Sequence, residues 1–265
     1  MIICVNNNKG GVLKTTTVTN LAGVLATQKK KVLIVDADNQ SNVLLSFGHN
    51  PDDVRTSLYD VLVHGLPPED AIMSVHKYID VLPSNRDLIS FEFDILGNIG
   101  EYPEPFHIMK NALLHLIAIY DYILIDTPPS LSLMNGNVFT FADKVLIPFA
   151  PEFFSMRSLI EVVDTIKDFK EQHNHKLEIL GVVATRVNSV TNIHADIMQE
   201  TRKYSYENNL HVFETMIPNV IEFENAVSYF MKPATLLKKS KRDKANLYFD
   251  LWKEIEYQLE RNVVK

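Results

Sequence analysis

Cysteine is all but missing from this chain of 265 residues: there is one, Cys4. A single thiol closes no disulfide within the chain and builds no thiolate metal or iron–sulfur centre. Electron transfer through such a cluster is therefore excluded, and the composition fits a reducing cytosol. No apolar run approaches the ~20 residues that a membrane-spanning helix needs. No signal-peptide pattern comes before the first apolar segment, because Met1 leads straight into it. Internal repeats and low-complexity stretches are also lacking. Nor is there an excess of positive charge: the net charge is −7. Taken as a whole that argues against polyanions, although the distribution of charge matters more than its sum. What remains is an ordinary soluble composition, 46% hydrophobic and 22% charged, long enough to bury a full core. A single cytoplasmic domain over residues 1–265 is the expectation.

The richest stretch is the first. Ile2 to Val5 is an apolar run of strand type. A loop follows from Asn6 to Leu13, and Lys14-Thr15-Thr16 then opens a segment with Val18, Leu21, Ala22 and Leu25 at helical spacing. Strand, glycine loop, Lys-Thr and helix make the layout of a phosphate-binding P-loop. Backbone N–H groups line a concave nest, and the helix N-terminus adds partial positive charge. In that layout Lys14 neutralises β/γ oxygens and the Thr15 hydroxyl ligates Mg²⁺. The general pattern G-x-x-x-x-G-K-S/T has glycine where this chain has Asn8 and Leu13. It has instead Lys9-Gly10-Gly11-Val12-Leu13-Lys14-Thr15-Thr16.

Further along, Val32 to Val35 is a continuous apolar run that ends in two carboxylates, Asp36 and Asp38. Tyr122 to Ile125 is another, ending at Asp126-Thr127-Pro128-Pro129. Such runs suit parallel strands buried on both faces. Ligands in open α/β sheets collect at the carboxyl ends of strands, so Asp36, Asp38 and Asp126 belong near the phosphates. The two prolines stiffen a turn placed to report the γ-phosphate. Other expected strands are Tyr78–Pro83, Lys144–Pro148, Leu177–Val187 and His211–Pro218. Expected helices are Ser57–Leu62, Pro67–Ile72, Phe106–Ile119, Ser155–Lys170, Ile193–Tyr206 and Asp243–Arg261. Residues 97–105 are the most loop-like stretch. The alternation predicts an α/β fold: a doubly wound, mostly parallel sheet of P-loop NTPase type with helices on both faces.

Lys9 to Thr15 resembles the deviant Walker A signature, K-G-G-V-x-K-T, of the ParA/MinD family of ATPases. The resemblance extends along most of the chain. Val32–Asn42 is similar to the family's V-L-L-I-D-x-D-P-Q-x-N, and Tyr120–Ser130 to Y-D-Y-I-L-I-D-x-P-P-S. Ile217-Pro218 through Ala226 to Lys232-Pro233 is similar to its I-P…E-A…K-P segment. This ordered set points to partition ATPases of the ParA type, here of the short class without an N-terminal helix-turn-helix domain.

The resemblance implies ATP/ADP and Mg²⁺ as cofactors and slow ATP hydrolysis. It assigns nucleotide binding to Lys9, Gly10, Gly11, Val12, Leu13, Lys14, Thr15 and Thr16. Thr15 ligates Mg²⁺, Asp36 and Asp126 hold it through water, and Asp38 positions the attacking water. Lys9 reaches across a sandwich homodimer to the partner's nucleotide, resembling an arginine finger in function. Asn188 and the Pro218-Asn219 backbone frame adenine. Three positions depart from the pattern: Leu13 for glycine, Asn39 for proline and Asn225 for glutamate. A leucine forced to positive φ costs about 1 kcal/mol or more, so micromolar or weaker nucleotide affinity is expected.

MinD-like members end in a basic amphipathic helix that lies on membrane. Here the closing segment has Leu247, Leu251, Ile255 and Leu259 on one stripe, but Asp250, Glu254, Glu256 and Glu260 on its other faces. Acidic residues there oppose anionic lipid. Just before it lie Lys232, Lys238, Lys239, Lys241, Arg242 and Lys244, with only Asp243 opposing. Such a cluster is either a phosphate-backbone footprint or a solvated basic loop. The resemblance favours non-specific DNA, with Arg202 and Lys203 as loosely matching positions. It also implies a nucleoid-associated location and a ParB-type partner that stimulates hydrolysis. The alternatives are a non-hydrolysing nucleotide switch and a MinD-like membrane ATPase.

Overall fold

The computed structural model of the chain describes residues 1–153, 155–188, 192–241 and 243–263. In chain order its strands are β1 (Ile2–Val5), β2 (Val32–Asp36), β3 (Met73–His76), β4 (Ile79–Leu82), β5 (Tyr122–Asp126), β6 (Lys144–Phe149) and β7 (Glu178–Ala184). The helices are α1 (Lys14–Thr27), α2 (Asn42–Leu45), α3 (Leu58–Val63), α4 (Phe91–Gly97), α5 (Ile108–Leu113), α6 (Leu133–Phe141), α7 (Ser155–Gln172), α8 (Asn192–Glu207), α9 (Glu222–Phe230) and α10 (Asn246–Val263).

The strands form one sheet in the order β3-β4-β2-β5-β1-β6-β7. Every pairing is parallel except β3 with β4. The chain leaves β1 for β2 on one side and later reaches β6 on the other, which makes the carboxyl end of β1 a topological switch point. β5 fills the gap between β1 and β2. Its register sets Asp126 beside both Val5 and Asp36. That alignment positions the site.

Alternation along the strands divides the core. Cys4, Leu33, Val35, Ile123 and Ile125 point to one face, covered by α3 to α8. Ile3, Val5, Val32, Ile34 and Leu124 point to the other, covered by α1, α2, α9 and α10. On α10, Tyr248, Leu251, Trp252 and Ile255 are fully buried, and the Trp252 ring stands edge-on to Tyr122 at 5.3 Å. Burying a side chain of this size contributes about 1.5–3 kcal/mol. The apolar stripe of the closing helix therefore belongs to the core. Among the described residues no helix is long and apolar enough to cross a membrane.

Several expected elements differ. Pro67–Ile72 is a single 3₁₀ turn, Pro68–Asp70, which delivers the chain to the antiparallel edge strand β3. Phe106–Ile119 is helical only from Ile108, and after Leu113 it tightens into a 3₁₀ turn. His211–Pro218 is not a strand but two isolated bridges, Val182 to Val212 and Val187 to Pro218. The ladder breaks because the N–H groups of Glu214 and Thr215 donate to the Glu254 carboxylate on α10, at 2.8 and 2.9 Å, instead of to β7. The sequence pattern misses α6 altogether, since all nine of its residues are buried and no amphipathic period exists to find.

Candidate active site

β1 ends at Val5, and the loop that follows is fastened at several points. Asn7 is its hub. Its side-chain amide donates to the Pro148 carbonyl at 2.7 Å, and its Oδ1 accepts from the Lys9 N–H at 2.9 Å and the Ser158 hydroxyl at 3.0 Å. Just past β7, the Thr185 hydroxyl donates to the Val12 carbonyl at 3.0 Å. Two loop residues take the left-handed conformation, Gly11 at φ 73° and Leu13 at φ 64°. For Leu13 that conformation costs about 1–2 kcal/mol. Leu13 precedes α1, which carries no side-chain cap. The first-turn N–H groups of α1 thus form the anion nest expected of this layout.

Lys14 is buried, 8% exposed, and its Nζ donates to the carbonyls of Asn7 at 3.1 Å and Lys9 at 3.4 Å. Burial pulls its pKa down, against the opposing pull of Asp126 and Asp38. The Thr15 hydroxyl donates to Asp126 Oδ2 at 2.5 Å. Asp126 Oδ1, fully buried, has no partner. Burial, with Asp38 nearby, pushes the Asp126 carboxyl up to about 7, although Thr15 and Lys14 oppose the shift. Asp36 accepts from the N–H groups of Asp38 and Val43 at 3.1 and 3.2 Å. Burial and then the Asp126 charge hold its carboxyl well above the usual range. Asp38 lies on the groove wall and accepts from the Gln40 N–H at 3.0 Å.

The result is three carboxylates clustered around one lysine and one hydroxyl. An orphaned carboxylate oxygen beside a threonine hydroxyl, with negative charge in excess, fits a hard, oxygen-liganded cation such as Mg²⁺. Among the described residues no three His, Cys, Asp or Glu side chains form a metal cage by themselves. That suits an ion that keeps waters and takes phosphate oxygens.

A groove of about 620 Å³ runs over Gly10, Gly11, Lys14, Thr15 and Asp38. A second, of about 310 Å³, includes Pro218 and Asn219. Leu13, Thr16, Ser46 and Val227 line both, so the two are continuous. Asn188 lines neither; its backbone N–H donates to His194 Nδ1 at 3.1 Å. Gln40 and Asn42 line the larger groove without having been assigned a role from sequence, and Pro129, one of the two prolines expected to report the γ-phosphate, lines it as well.

Lys9 faces away from this groove. Its Nζ donates to Glu152 Oε2 at 2.5 Å and to the Ser155 hydroxyl at 3.1 Å. Arg186, at φ 53°, sets NH1 3.7 Å from the same carboxylate and donates to the Gly11 carbonyl at 3.3 Å. The Lys9 hydrogen bond, above all, holds the Glu152 carboxyl below its usual range. Neither Glu152 nor Arg186 stood out in the sequence. The usable signal was position, since each lies just past the carboxyl end of a parallel strand, Glu152 after β6 and Arg186 after the edge strand β7, on the side of the sheet where α/β sites collect.

The basic residues do not form one patch. Lys238 and Lys239 are exposed beside the start of α10, where Glu222 accepts from the N–H groups of Lys244 and Ala245. Lys241 ends a 3₁₀ turn, and Arg242 lies outside the described residues. Arg202 pairs with Glu214 at 3.0 Å, beside Glu254, and Lys203 is exposed next to it. From Ala245 to Glu254 is about 13 Å along α10 at 1.5 Å per residue, so the two groups are separate.

Comparison with known proteins agrees with this architecture. The AAA domain model matches residues 1–179. A ParA family protein of Mycoplasma pneumoniae is 33% identical over 267 residues, covering 96% of this chain and 97% of the relative. The sporulation initiation inhibitor protein Soj of Bacillus subtilis is 34% identical over 255 residues, with the same coverage. Among solved structures, a cobyrinic acid a,c-diamide synthase from Mycobacterium smegmatis with bound ATP analog and magnesium superimposes at TM-score 0.79. It is 30% identical and covers 93% of this chain and 90% of its own. With relatives that span almost the whole chain, and a P-loop followed by strand-end carboxylates, the chain belongs to the ParA family of P-loop ATPases.

Proposed function

We propose that this chain is a DNA-partition ATPase that forms an ATP-dependent sandwich dimer, with Lys9 acting on the partner's nucleotide. The observation that carries the proposal is the division between the two lysines. Lys14 lies over the phosphate side of its own groove, whereas Lys9 stands on the rim, tied to Glu152. A cation at the rim is placed to serve a facing copy, and its exposed ion pair is weak enough to exchange for phosphate.

In this reading the triphosphate lies on the loop N–H groups, and Lys14 turns from the loop carbonyls to the β/γ oxygens. The Thr15 hydroxyl, now bonded to Asp126, would hold Mg²⁺ directly, and Asp36 and Asp126 would hold it through water. Bound Mg²⁺ would supply charge neutralisation at the β and γ oxygens. Asp38 orients the attacking water. Adenine lies in the smaller groove against Pro218 and Asn219. Asn188 takes no part in this reading. Lys238 and Lys239, with Lys241 and Arg242 beyond them, contact DNA phosphates without reading sequence. A dimer presents that footprint twice, so ATP switches DNA affinity on. A ParB-type partner stimulates hydrolysis and releases the protein from the nucleoid of the cytoplasm.

Co-sedimentation with DNA tests this reading. Retention is expected with ATP, not with ADP, and falls steeply with salt. Asp38→Ala should keep ATP-dependent retention while phosphate release falls about a hundredfold. Equal retention under all nucleotide conditions, or full turnover in Asp38→Ala, would overturn it. The left-handed Leu13 favours one other reading, a non-hydrolysing switch. Phosphate release measured with DNA and partner present separates the two.

A further inference from the structure

A short helix on the surface ordinarily turns an apolar face inward and a polar face outward. The segment through α4 does not. Leu88, Phe91 and Ile95 are buried in the core below it. Its outer side carries Ile89, Phe93, Leu96 and Ile99, which are 65%, 81%, 49% and 50% exposed. Ile89, in the 3₁₀ turn Arg86–Ser90 that leads into α4, and Phe93 and Leu96 on α4 follow i, i+4, i+7 spacing over about 10 Å.

Beside this face runs an apolar groove of about 400 Å³ between α4, α6 and α7. Leu96, Leu131, Leu133, Phe106, Phe139 and Phe169 line it. Leu131 itself is 58% exposed. A second cavity, of about 190 Å³, adjoins it and reaches Pro128 and Ser130 in the turn after Asp126. Glu92 and Ser132 line both cavities. The face thus continues from the outside of α4 to the turn beside the phosphate groove. Scattered apolar side chains on a surface need no explanation, but a contiguous patch with a groove marks an interaction site.

Along the chain from Asp87 to Met109 the charge has one sign. Between Arg86 and Lys110 the sequence holds Asp87, Glu92, Asp94, Glu101 and Glu104, and no lysine or arginine. A bare apolar face in acidic surroundings selects against an acidic segment and for a basic one.

We propose that the α4 face and its groove dock an amphipathic helix of a second protein, with leucine-type anchors in the groove and lysine or arginine against Glu92 and its acidic neighbours. The recognition mode is a helix laid in a groove, read through i, i+3/i+4 and i+7 anchors. An occupant there touches Leu131 and Ser132 and so reaches the turn that follows Asp126. The inference identifies a docking surface for the stimulating partner and rests on the preceding reading only for that partner's role.

The test needs neither ATP nor DNA, so its failure would leave ATP-dependent DNA binding standing. Two synthetic 20-residue helices with the same leucine stripe, one with lysine and one with glutamate on the polar face, are titrated by fluorescence anisotropy into the nucleotide-free, full-length protein. The lysine helix is expected to bind at least about tenfold more tightly than the glutamate helix. Phe93→Ser should weaken it about tenfold, as for an anchor residue of an interface. Glu92→Lys should narrow or invert the preference between the two peptides. Circular dichroism and thermal midpoints establish that both variants fold. Equal affinity for the two peptides, or unchanged binding in Phe93→Ser, would overturn the proposal. So would sedimentation showing a nucleotide-free wild-type dimer that Phe93→Ser makes monomeric, because a second copy would then own the face.

Discussion

Two lysines five residues apart on one strand-to-helix turn have opposite surroundings. Lys14 is 8% exposed and bonded to backbone carbonyls, with Asp126 and Asp38 as its charged neighbours. Lys9 keeps 31% of its side chain exposed and is held by one carboxylate across the rim. The difference lies in their partners. Carbonyls leave Lys14 its full charge for an anion arriving at the nest. Glu152 already neutralises Lys9, so in the proposed dimer Lys9 would act only after an exchange of partners. Removing either lysine should therefore fail differently. Lys14→Ala takes the cation from the phosphate side, and Mg-ATP affinity should fall about a hundredfold or more, as for loss of a buried charge-assisted contact. Lys9→Ala should leave monomer affinity within about threefold and abolish ATP-dependent dimerisation. Isothermal titration and analytical ultracentrifugation make the two measurements. Equal loss of affinity in both variants would erase the distinction.

The strand-end carboxylates sharpen the same contrast, because they are anions without enough cation. The folded, nucleotide-free protein holds the Asp126 proton up to about pH 7, whereas the unfolded chain gives it up near the usual value of 3.8. A group raised in the folded state favours folding at low pH and loses that contribution as pH rises through 7. Asp126→Asn should therefore stabilise the nucleotide-free protein at pH 8, on the order of 2–4 kcal/mol, and change little at pH 4. Urea midpoints at the two pH values measure it. Wild-type Mg²⁺ affinity should rise over the same interval, since the ion competes with that proton.

On the rim the expected effects are smaller. Lys9 and Glu152 form a partly exposed pair, which in water contributes about 0–1 kcal/mol. Glu152→Gln should shift stability by less than about 1 kcal/mol and strengthen ATP-dependent dimerisation a few-fold by freeing Lys9 beforehand. Unchanged or weaker dimerisation in sedimentation would mean that Glu152 supports the dimer instead of holding Lys9 back.

Much of this was legible in the residues, and the limit has a physical pattern. Buried parallel strands announce themselves as apolar runs, so β1, β2 and β5 and the carboxylates at their ends could be placed together from sequence. Elements whose environment is unusual could not. α6 is buried on every side and shows no period. α4 exposes apolar residues where a surface helix shows polar ones. The expected strand after Leu210 is broken by Glu254, about forty residues further on. Lys9, Glu152 and Arg186 meet only in three dimensions, since their elements lie on adjacent strand ends and far apart in sequence. Asn188 shows the converse. Its neighbour Val187 bridges to Pro218 as the motif match suggests, while Asn188 itself is not among the residues lining the two grooves.

The most closely balanced effect on stability belongs to the residue between the two lysines. Leu13 holds φ 64° and ψ 34°, where glycine has no Cβ penalty. Its side chain is partly buried against the core beneath α1 and lines both grooves. Leu13→Gly thus sets relief of about 1–2 kcal/mol of backbone strain against lost side-chain packing and a more flexible unfolded chain. The opposing terms are of similar size, so the thermal midpoint should move by only a few degrees. Affinity has no such cancellation at the nest. Without the isobutyl group between the two grooves, phosphate and base can settle closer to the loop. Mg-ATP should then bind about threefold to tenfold more tightly, provided the extra loop freedom costs less than the closer contact contributes. If titration finds weaker binding, Leu13 is a wall that shapes the nucleotide site, and the strain at this position is part of how the loop is held open between Lys9 and Lys14.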